Sequence, residues 1–150
     1  AARTGNMEVV SALLAAARAA GCVEELLDAK TKTGRTPLHT AARFGHGEVV
    51  SALLAAARAA ACVEKLLAAR EFDGWAPLHL AAFEGRTEVV SALLAAARAA
   101  GCVEKLLAAK ATDGLTPLHA AAFYGHGEVA SALLAAARAA ACVEKLLAAK

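Results

Sequence analysis

GRTPLHTAARFGHGEVVSALL, residues 34 to 54, contains start and stop signals for two successive helices. Thr36 can act as an N-cap, and Pro37 suits the first helical position because an N–H there has no intrahelical partner. Gly45 can end this first helix in the left-handed conformation, and the charge of Glu48 suits the start of a second helix. The stretch therefore predicts a turn followed by two helices.

The same pattern returns every 40 residues. TPLH at 36–39 recurs as APLH at 76–79 and as TPLH at 116–119, and SALLAAARAA occurs four times. A fixed period between 20 and 50 residues is typical of stacked arrays. We therefore expect a single array over residues 1–150. Its units are a partial repeat, 1–30, and three full repeats, 31–70, 71–110 and 111–150.

The second half of each repeat leaves two arrangements open. Apolar residues from Val49 to Leu67 recur at helical spacing, so one long helix could continue through the segment. However, Ala61 is replaced by Gly21 and Gly101 in other repeats, where a helix could stop and a short third helix could begin. We expect the break at this position, and likewise at Ala141.

These motifs resemble those of the ankyrin repeat family. The resemblance covers the turn, the first helix and the start of the second helix in every full repeat, and AARTGNMEVVSALL at the N-terminus matches from mid-repeat. It implies an all-α solenoid of stacked helix pairs whose concave side and turns bind another protein. Ankyrin repeats have about 33 residues. The additional residues, about two helical turns, indicate an added helical segment in each repeat.

The two halves of each repeat differ in how much they vary. Only two of 23 positions differ between residues 48–70 and 88–110, whereas ten of 17 differ between 31–47 and 71–87. The variable positions match those diversified in designed ankyrin repeat binders. This pattern favours an engineered, non-enzymatic protein-binding scaffold. The alternative is an architectural scaffold or assembly component without a selected target.

Twelve variable positions are candidate partner-binding residues. They include all six aromatic residues of the chain, and aromatic and arginine side chains dominate binding hot spots. We expect the six aromatics to be accessible and to form one contiguous ladder, although Phe83 and Phe123 could instead pack between repeats. The candidates are Lys32, Arg35, Arg43, Phe44, Phe72, Asp73, Trp75, Phe83, Glu84, Leu115, Phe123 and Tyr124.

The histidines have structural interpretations. His39, His79 and His119 belong to the PLH motif, for which the family resemblance implies a hydrogen bond to the adjacent turn. No acidic or nucleophilic partner recurs beside them, as catalysis would require. His46 and His126 follow the glycine that ends the first helix, and we expect them to cap that turn.

The sequence favours neither an enzyme nor a metal-binding protein. It has no Ser, His and Asp constellation and no glycine-rich phosphate loop. One cysteine recurs per repeat without a C-x-x-C pair, so no zinc site is indicated. Stacked helices lie about 8 to 10 Å apart, too far for a disulfide, and we expect free thiols. We expect no cofactor and no metal.

Charge and hydropathy suggest neither a nucleic-acid nor a membrane partner. The 16 basic and 14 acidic residues are dispersed, and apolar segments are shorter than the roughly 20 residues of a membrane span. No secretory signal opens the chain, so we expect a cytoplasmic protein, produced recombinantly in a bacterial cytosol. Residues 128–150 keep the apolar pattern of internal repeats instead of a polar cap, which predicts weak end-to-end self-association.

Overall fold

The computed structural model describes residues 7–139, which form ten helices and contain no strand. The expected all-α class is confirmed by this architecture. The helices are α1 (Met7–Ala20), α2 (Val23–Leu27), α3 (Pro37–Phe44), α4 (Gly47–Ala59), α5 (Val63–Ala68), α6 (Pro77–Phe83), α7 (Thr87–Ala100), α8 (Val103–Ala108), α9 (Pro117–Phe123) and α10 (Gly127–Ala139).

Each of the first two full repeats consists of a first helix, a long second helix and a short third helix. These are α3, α4 and α5, followed by α6, α7 and α8. The first helices α3, α6 and α9 pack side by side, as do the second helices α1, α4, α7 and α10. The expected break is confirmed, because α4 ends at Ala59 and α5 begins at Val63. The break expected at Ala141 lies outside the described residues.

The first helices begin as the sequence predicts. The Thr36 hydroxyl oxygen accepts the backbone N–H of His39, and Thr116 makes the equivalent bond in α9. Ala76 has no oxygen with which to cap α6. At the other end, Gly45 is left-handed with φ of 74° and follows the last residue of α3.

The core lies between the first and second helices. Leu38 and Leu78 of the first helices are buried together with Leu53 and Leu93 of the second helices. The alanine pair 41–42 in α3 is also fully buried. Because helix separation depends on the side chains at the contact, these small residues favour close packing of the stack.

The third helices carry the charges that link neighbouring repeats on the outer surface. Lys65 lies 3.5 Å from Glu24, and Lys105 lies 3.3 Å from Glu64. Exposed pairs of this kind add little stability. No helix within residues 7–139 is long and apolar enough to cross a membrane.

The junction between second and third helices is left-handed in three repeats. Gly21 and Gly101 have φ of 71° and 72°, whereas Ala61 takes the same conformation with φ of 58°. A Cβ placed on Gly101 meets no atom within 4 Å, so the cost of alanine there comes from the backbone alone.

Replacing Ala61 by glycine is therefore expected to raise the free energy of unfolding by about 1 kcal/mol. Urea denaturation of the purified protein measures the change. The matched control is Ala55→Gly, at an exposed position inside α4, where glycine should destabilise by about 1 kcal/mol. Destabilisation by both substitutions would contradict the strain at residue 61.

Candidate functional site

The turn before each first helix is closed by its own backbone. In the second full repeat, the N–H of Glu71 donates to the carbonyl of Trp75 at 3.0 Å, and that of Gly74 donates to Glu71 at 2.8 Å. Gly74 has φ of 81°, and a Cβ there would lie 2.7 Å from the nitrogen of Thr112. Both the conformation and the approach of the next turn therefore require glycine.

Neighbouring turns are joined to each other by further backbone bonds. The N–H of Phe72 donates to the carbonyl of Thr33 at 3.0 Å, and the N–H of Thr112 donates to the carbonyl of Asp73 at 3.1 Å. These bonds fix the turns in register. The variable side chains of successive turns are consequently held on one surface.

Buried histidines connect each first helix to the next turn. His39 accepts the N–H of Thr36 on Nδ1 at 3.1 Å and donates from Nε2 to the carbonyl of Trp75 at 2.9 Å. His79 bonds Ala76 and Leu115 in the same way, at 3.1 and 3.0 Å. The structural role expected for these two histidines is confirmed.

Burial also determines the charge state of these rings. It lowers the pKa of both His39 and His79 below the ordinary value of 6.5, and this outweighs the opposing effect of the carbonyls that accept from Nε2. Each ring is neutral at pH 7, with its proton on Nε2. Neither ring is a candidate acid or base, because both nitrogens are engaged in structural bonds.

The expectation that His126 caps its own turn is wrong. Its Nε2 donates to the carbonyl of Phe83 at 2.8 Å, at the end of the first helix in the preceding repeat. Arg86, at the equivalent position, donates from Nε to the carbonyl of Arg43 at 3.1 Å. His46 likewise makes no side-chain cap bond to α4. Arg86 and His126 thus stabilise helix carbonyls across the repeat boundary, because carbonyls at a helix end lack intrahelical partners.

Four aromatic side chains form a continuous cluster, which we call the aromatic ladder: Trp75, Phe83, Tyr124 and Phe123. Trp75 and Phe83 have ring centroids 5.3 Å apart, Phe83 and Tyr124 lie at 4.2 Å, and Tyr124 and Phe123 at 4.9 Å. The first two contacts are edge-on, a favoured aromatic geometry. The ladder joins the second and third full repeats.

The expectation of one ladder of six is wrong for Phe72. Its ring lies over Gly34, where a Cβ would be 2.8 Å from the ring, and among the described residues it makes no ring contact with the ladder. Phe72 stands two residues before the turn glycine, whereas Phe83 and Phe123 end first helices. In the first full repeat, Phe44 lies near the ring of His46, with the Arg43 guanidinium 5.6 Å from its centroid.

The aromatics differ in their accessibility. Phe72 and Phe123 are 75% and 77% exposed, and Phe44 and Tyr124 are also exposed. By contrast, Trp75 and Phe83 are half-buried and pack against the core. Phe83 thus combines partial access with packing against the next repeat, while Phe123 remains in solvent.

A cleft of about 440 Å³, which we call the central cleft, lies beside the aromatic ladder. Six of the twelve candidate residues line it, together with four others that we did not select from the sequence. Those four occupy positions that differ between repeats, so repeat variation was the available signal. The lining consists of Arg35, Arg43, Asp73, Trp75, Phe83 and Glu84, with the additional Glu71, Leu80, Thr112 and Asp113.

The remaining candidates lie outside the central cleft. Lys32 is exposed on the first turn, and Leu115 is half-buried with its carbonyl bound by His79. All four exposed aromatics also lie outside the lining: Phe44, Phe72, Phe123 and Tyr124. The structure thus separates the twelve residues into six that line the cleft and six outside it, of which all but Leu115 are exposed.

Opposite charges pair within the central cleft. Arg35 Nε lies 2.6 Å from the Glu71 carboxylate, and Glu71 is buried. Arg43 Nε lies 3.9 Å from a Glu84 carboxylate oxygen. Both pairs connect neighbouring repeats, so the side chains that shape the cleft are fixed by inter-repeat contacts.

The cysteines described by the structure are free thiols. They are Cys22, Cys62 and Cys102, while Cys142 lies outside the described residues. Burial raises the pKa of the Cys62 and Cys102 thiols, which makes them less nucleophilic. Within residues 7–139, no group of His, Cys, Asp and Glu side chains is arranged to hold a metal ion.

Stacked helix pairs with hydrogen-bonded turns and variable side chains on one surface define a helical repeat solenoid. A family model described as ankyrin repeats (3 copies) matches residues 1–60 and 55–145. The chain therefore belongs to the ankyrin repeat family. A comparison with curated proteins found no matching relative.

Proposed function

We propose that the chain is a non-enzymatic protein-binding scaffold of engineered origin. Its partner binds the variable turn and first-helix positions, on the aromatic ladder and the central cleft. Ankyrin repeats generally mediate protein–protein interactions. The observation that carries the proposal is the clustering of variable side chains from successive repeats on one surface, while the nearly invariant second helices build the core.

The exposure of the aromatic side chains supports a binding role. Phe123 and Tyr124 present large apolar surfaces to solvent, although the core beneath them is complete without them. Exposed aromatic clusters reduce solubility, and they are typical of interaction surfaces. A scaffold without a partner gains nothing from them.

The engineered origin is supported by the distribution of differences among repeats. Between the first two full repeats, only two of 23 framework positions differ, whereas ten of 17 turn and first-helix positions differ. The framework is therefore nearly constant, and the turn and first-helix surface is diversified. The third helix gives this chain a longer repeat than the usual 33 residues. Both features are consistent with deliberate construction from one template.

Capture of partners from a lysate, quantified by mass spectrometry, tests the proposal. The protein is compared with a double variant, Phe123→Ala and Tyr124→Ala, which truncates two exposed aromatics. A matched control, Arg58→Ala and Arg98→Ala, truncates two exposed side chains on the second helices instead. We expect a captured protein whose affinity falls at least 30-fold in the aromatic variant, the loss typical of a hot spot, and stays unchanged in the control.

Thermal unfolding of the three proteins completes the test. Because Phe123 and Tyr124 are exposed, their loss should lower the free energy of unfolding by only about 1 kcal/mol, the contribution of the Tyr124–Phe83 ring contact. Capture that is equal in all three proteins would contradict a binding role for this surface. It would favour the alternative of an architectural scaffold without a selected target.

A further inference from the structure

The central cleft has an apolar wall suited to a flat, partly apolar side chain. Trp75 and Phe83 line it with aromatic surface, and the buried Leu80 contributes an aliphatic surface. The Trp75 and Phe83 rings are mutually edge-on at 5.3 Å, and Trp75 also lies 5.8 Å from His79, so the indole is held in place. A preformed aromatic surface is available for stacking without reorganisation.

The charges of the central cleft are not balanced. The two arginines in its lining are engaged by Glu71 and Glu84, at 2.6 and 3.9 Å. Two further carboxylates, Asp73 and Asp113, then remain. They belong to adjacent turns joined by the bond from Thr112 to Asp73.

These two carboxylates retain most of their capacity to accept hydrogen bonds. Asp113 uses Oδ1 to accept the N–H of Leu115 at 3.2 Å, while Asp73 has no side-chain hydrogen bond or ion pair among the described residues. The lining therefore has an excess of two negative charges, although the whole chain has a net charge of +2. The cleft is complementary to a cation with several N–H donors.

We propose that the central cleft receives an arginine side chain presented by the protein partner. The guanidinium stacks on Trp75 and donates to Asp73 and Asp113, and the methylene stem covers Leu80. This inference rests on the proposed function for the location of the partner and specifies the chemistry that the partner presents.

Arginine fits this arrangement better than the other cation available to a peptide. Its planar guanidinium combines stacking on an aromatic face with forked donation to carboxylates, whereas the lysine ammonium is a strongly hydrated point charge. A phosphorylated or acidic peptide fits poorly, because Arg35 and Arg43 are already paired with carboxylates. The charge and the aromatic surface thus favour the same side chain.

The single tryptophan of the chain makes this inference directly measurable. Trp75 lines the cleft, so its fluorescence reports occupancy without a label. The probe is an uncharged pentapeptide with a central arginine, acetylated and amidated. It is compared with peptides carrying lysine or citrulline, the uncharged isostere of arginine, at the same position. We expect a saturable change with arginine and a dissociation constant on the order of 1 mM, as suits one side chain.

Substitutions test the role of the two carboxylates. Asp73→Asn and Asp113→Asn remove charge from the exposed rim, and asparagine at 113 keeps an oxygen for the Leu115 N–H. Each substitution should lower the affinity for the arginine peptide about tenfold, since a charge-assisted contact is lost. Asp28→Asn, an exposed aspartate outside the cleft lining, is the matched control and should leave binding unchanged.

Three results would overturn the arginine inference: no saturable response of Trp75, equal affinity for the citrulline peptide, or unchanged affinity in both aspartate variants. Each leaves the proposed function standing if the lysate experiment still shows loss of a partner in the aromatic variant. Conversely, binding of the arginine peptide without any such protein partner would support the arginine inference and contradict the proposed function. The two experiments can therefore contradict the arginine inference and the proposed function independently of each other.

Discussion

Replacing His79 by alanine is expected to lower the free energy of unfolding by about 3 kcal/mol. His79 is fully buried, and its ring joins the start of α6 to the next turn. The substitution leaves the Ala76 N–H without its acceptor and removes the donor that binds the Leu115 carbonyl. A buried unsatisfied group costs about 1 to 3 kcal/mol, and the cavity left by the ring adds to this loss.

The matched control is His119→Ala, in the same motif of the third full repeat. His119 accepts the N–H of Thr116 at 3.1 Å but is only partly buried. Its removal should cost about 1 kcal/mol, because less burial and fewer contacts are lost. Equal losses in the two variants, measured by urea denaturation, would show that the bond to the next turn adds no stability.

The pH dependence of unfolding provides a second measurement for the same variant. Because burial lowers the pKa of His39 and His79 below 6.5, the unfolded chain binds protons more readily than the folded protein. Their contribution is fully present above pH 6.5 and is lost as the pH falls toward the lowered values. The loss of stability below pH 6.5 should be shallower in His79→Ala, which retains only one of these two rings.

Short-range signals explain why the helix boundaries could be predicted from the sequence. Thr36 and Pro37 define the start of α3, Gly45 defines its end, and all three act within one helical turn of their own position. The break near Ala61 followed from the same logic, because glycine occupies the equivalent position in two other repeats. The structure resolved the choice between one helix and two in favour of the break.

Contacts between repeats were harder to predict because they join residues about 40 positions apart. The Arg35 to Glu71 pair and the His126 bond to Phe83 depend on how one repeat sits on the next. The sequence does not indicate whether a side chain reaches its own turn or the neighbouring helix. For the same reason six of the ten residues that line the cleft were candidates from the sequence, whereas Glu71, which pairs across the repeat boundary, was not.

The aromatic residues illustrate the same limit. Because equivalent positions of stacked repeats align, we expected all six aromatic side chains to form one ladder. Only Trp75, Phe83, Tyr124 and Phe123 do so, whereas Phe72 lies at the tip of a turn, over Gly34. The six aromatic side chains also differ in accessibility, because Trp75 and Phe83 pack partly into the core. Residues 140–150 of the C-terminal stripe expected to cause self-association lie outside the described part of the chain.

Within residues 7–139, the N-terminal unit has an apolar surface that is continuous with the core and open to solvent. A groove of about 360 Å³ there is lined by residues of α1, α2, α3 and α4 and of the segment between α2 and α3. Leu13 of α1 is 48% exposed, whereas its counterpart in α4, Leu53, is 4% exposed; Val9 differs from Val49 in the same way. In the first full repeat, α3 packs against α4. Within the described residues, no first helix covers α1.

Fusing GRTPLHT, a copy of residues 34–40, directly before Ala1 continues the repeat register and supplies a first helix for this groove. We expect the free energy of unfolding to rise by about 3 kcal/mol, because Val9, Leu13 and the added leucine become buried and each contributes about 1 kcal/mol. The control is an extension of equal length with glycine and serine only, which can form neither the cap nor the apolar contact. Thermal and urea unfolding measure the difference. Equal stability of the two extended proteins would mean that the groove does not accept a first helix of this family.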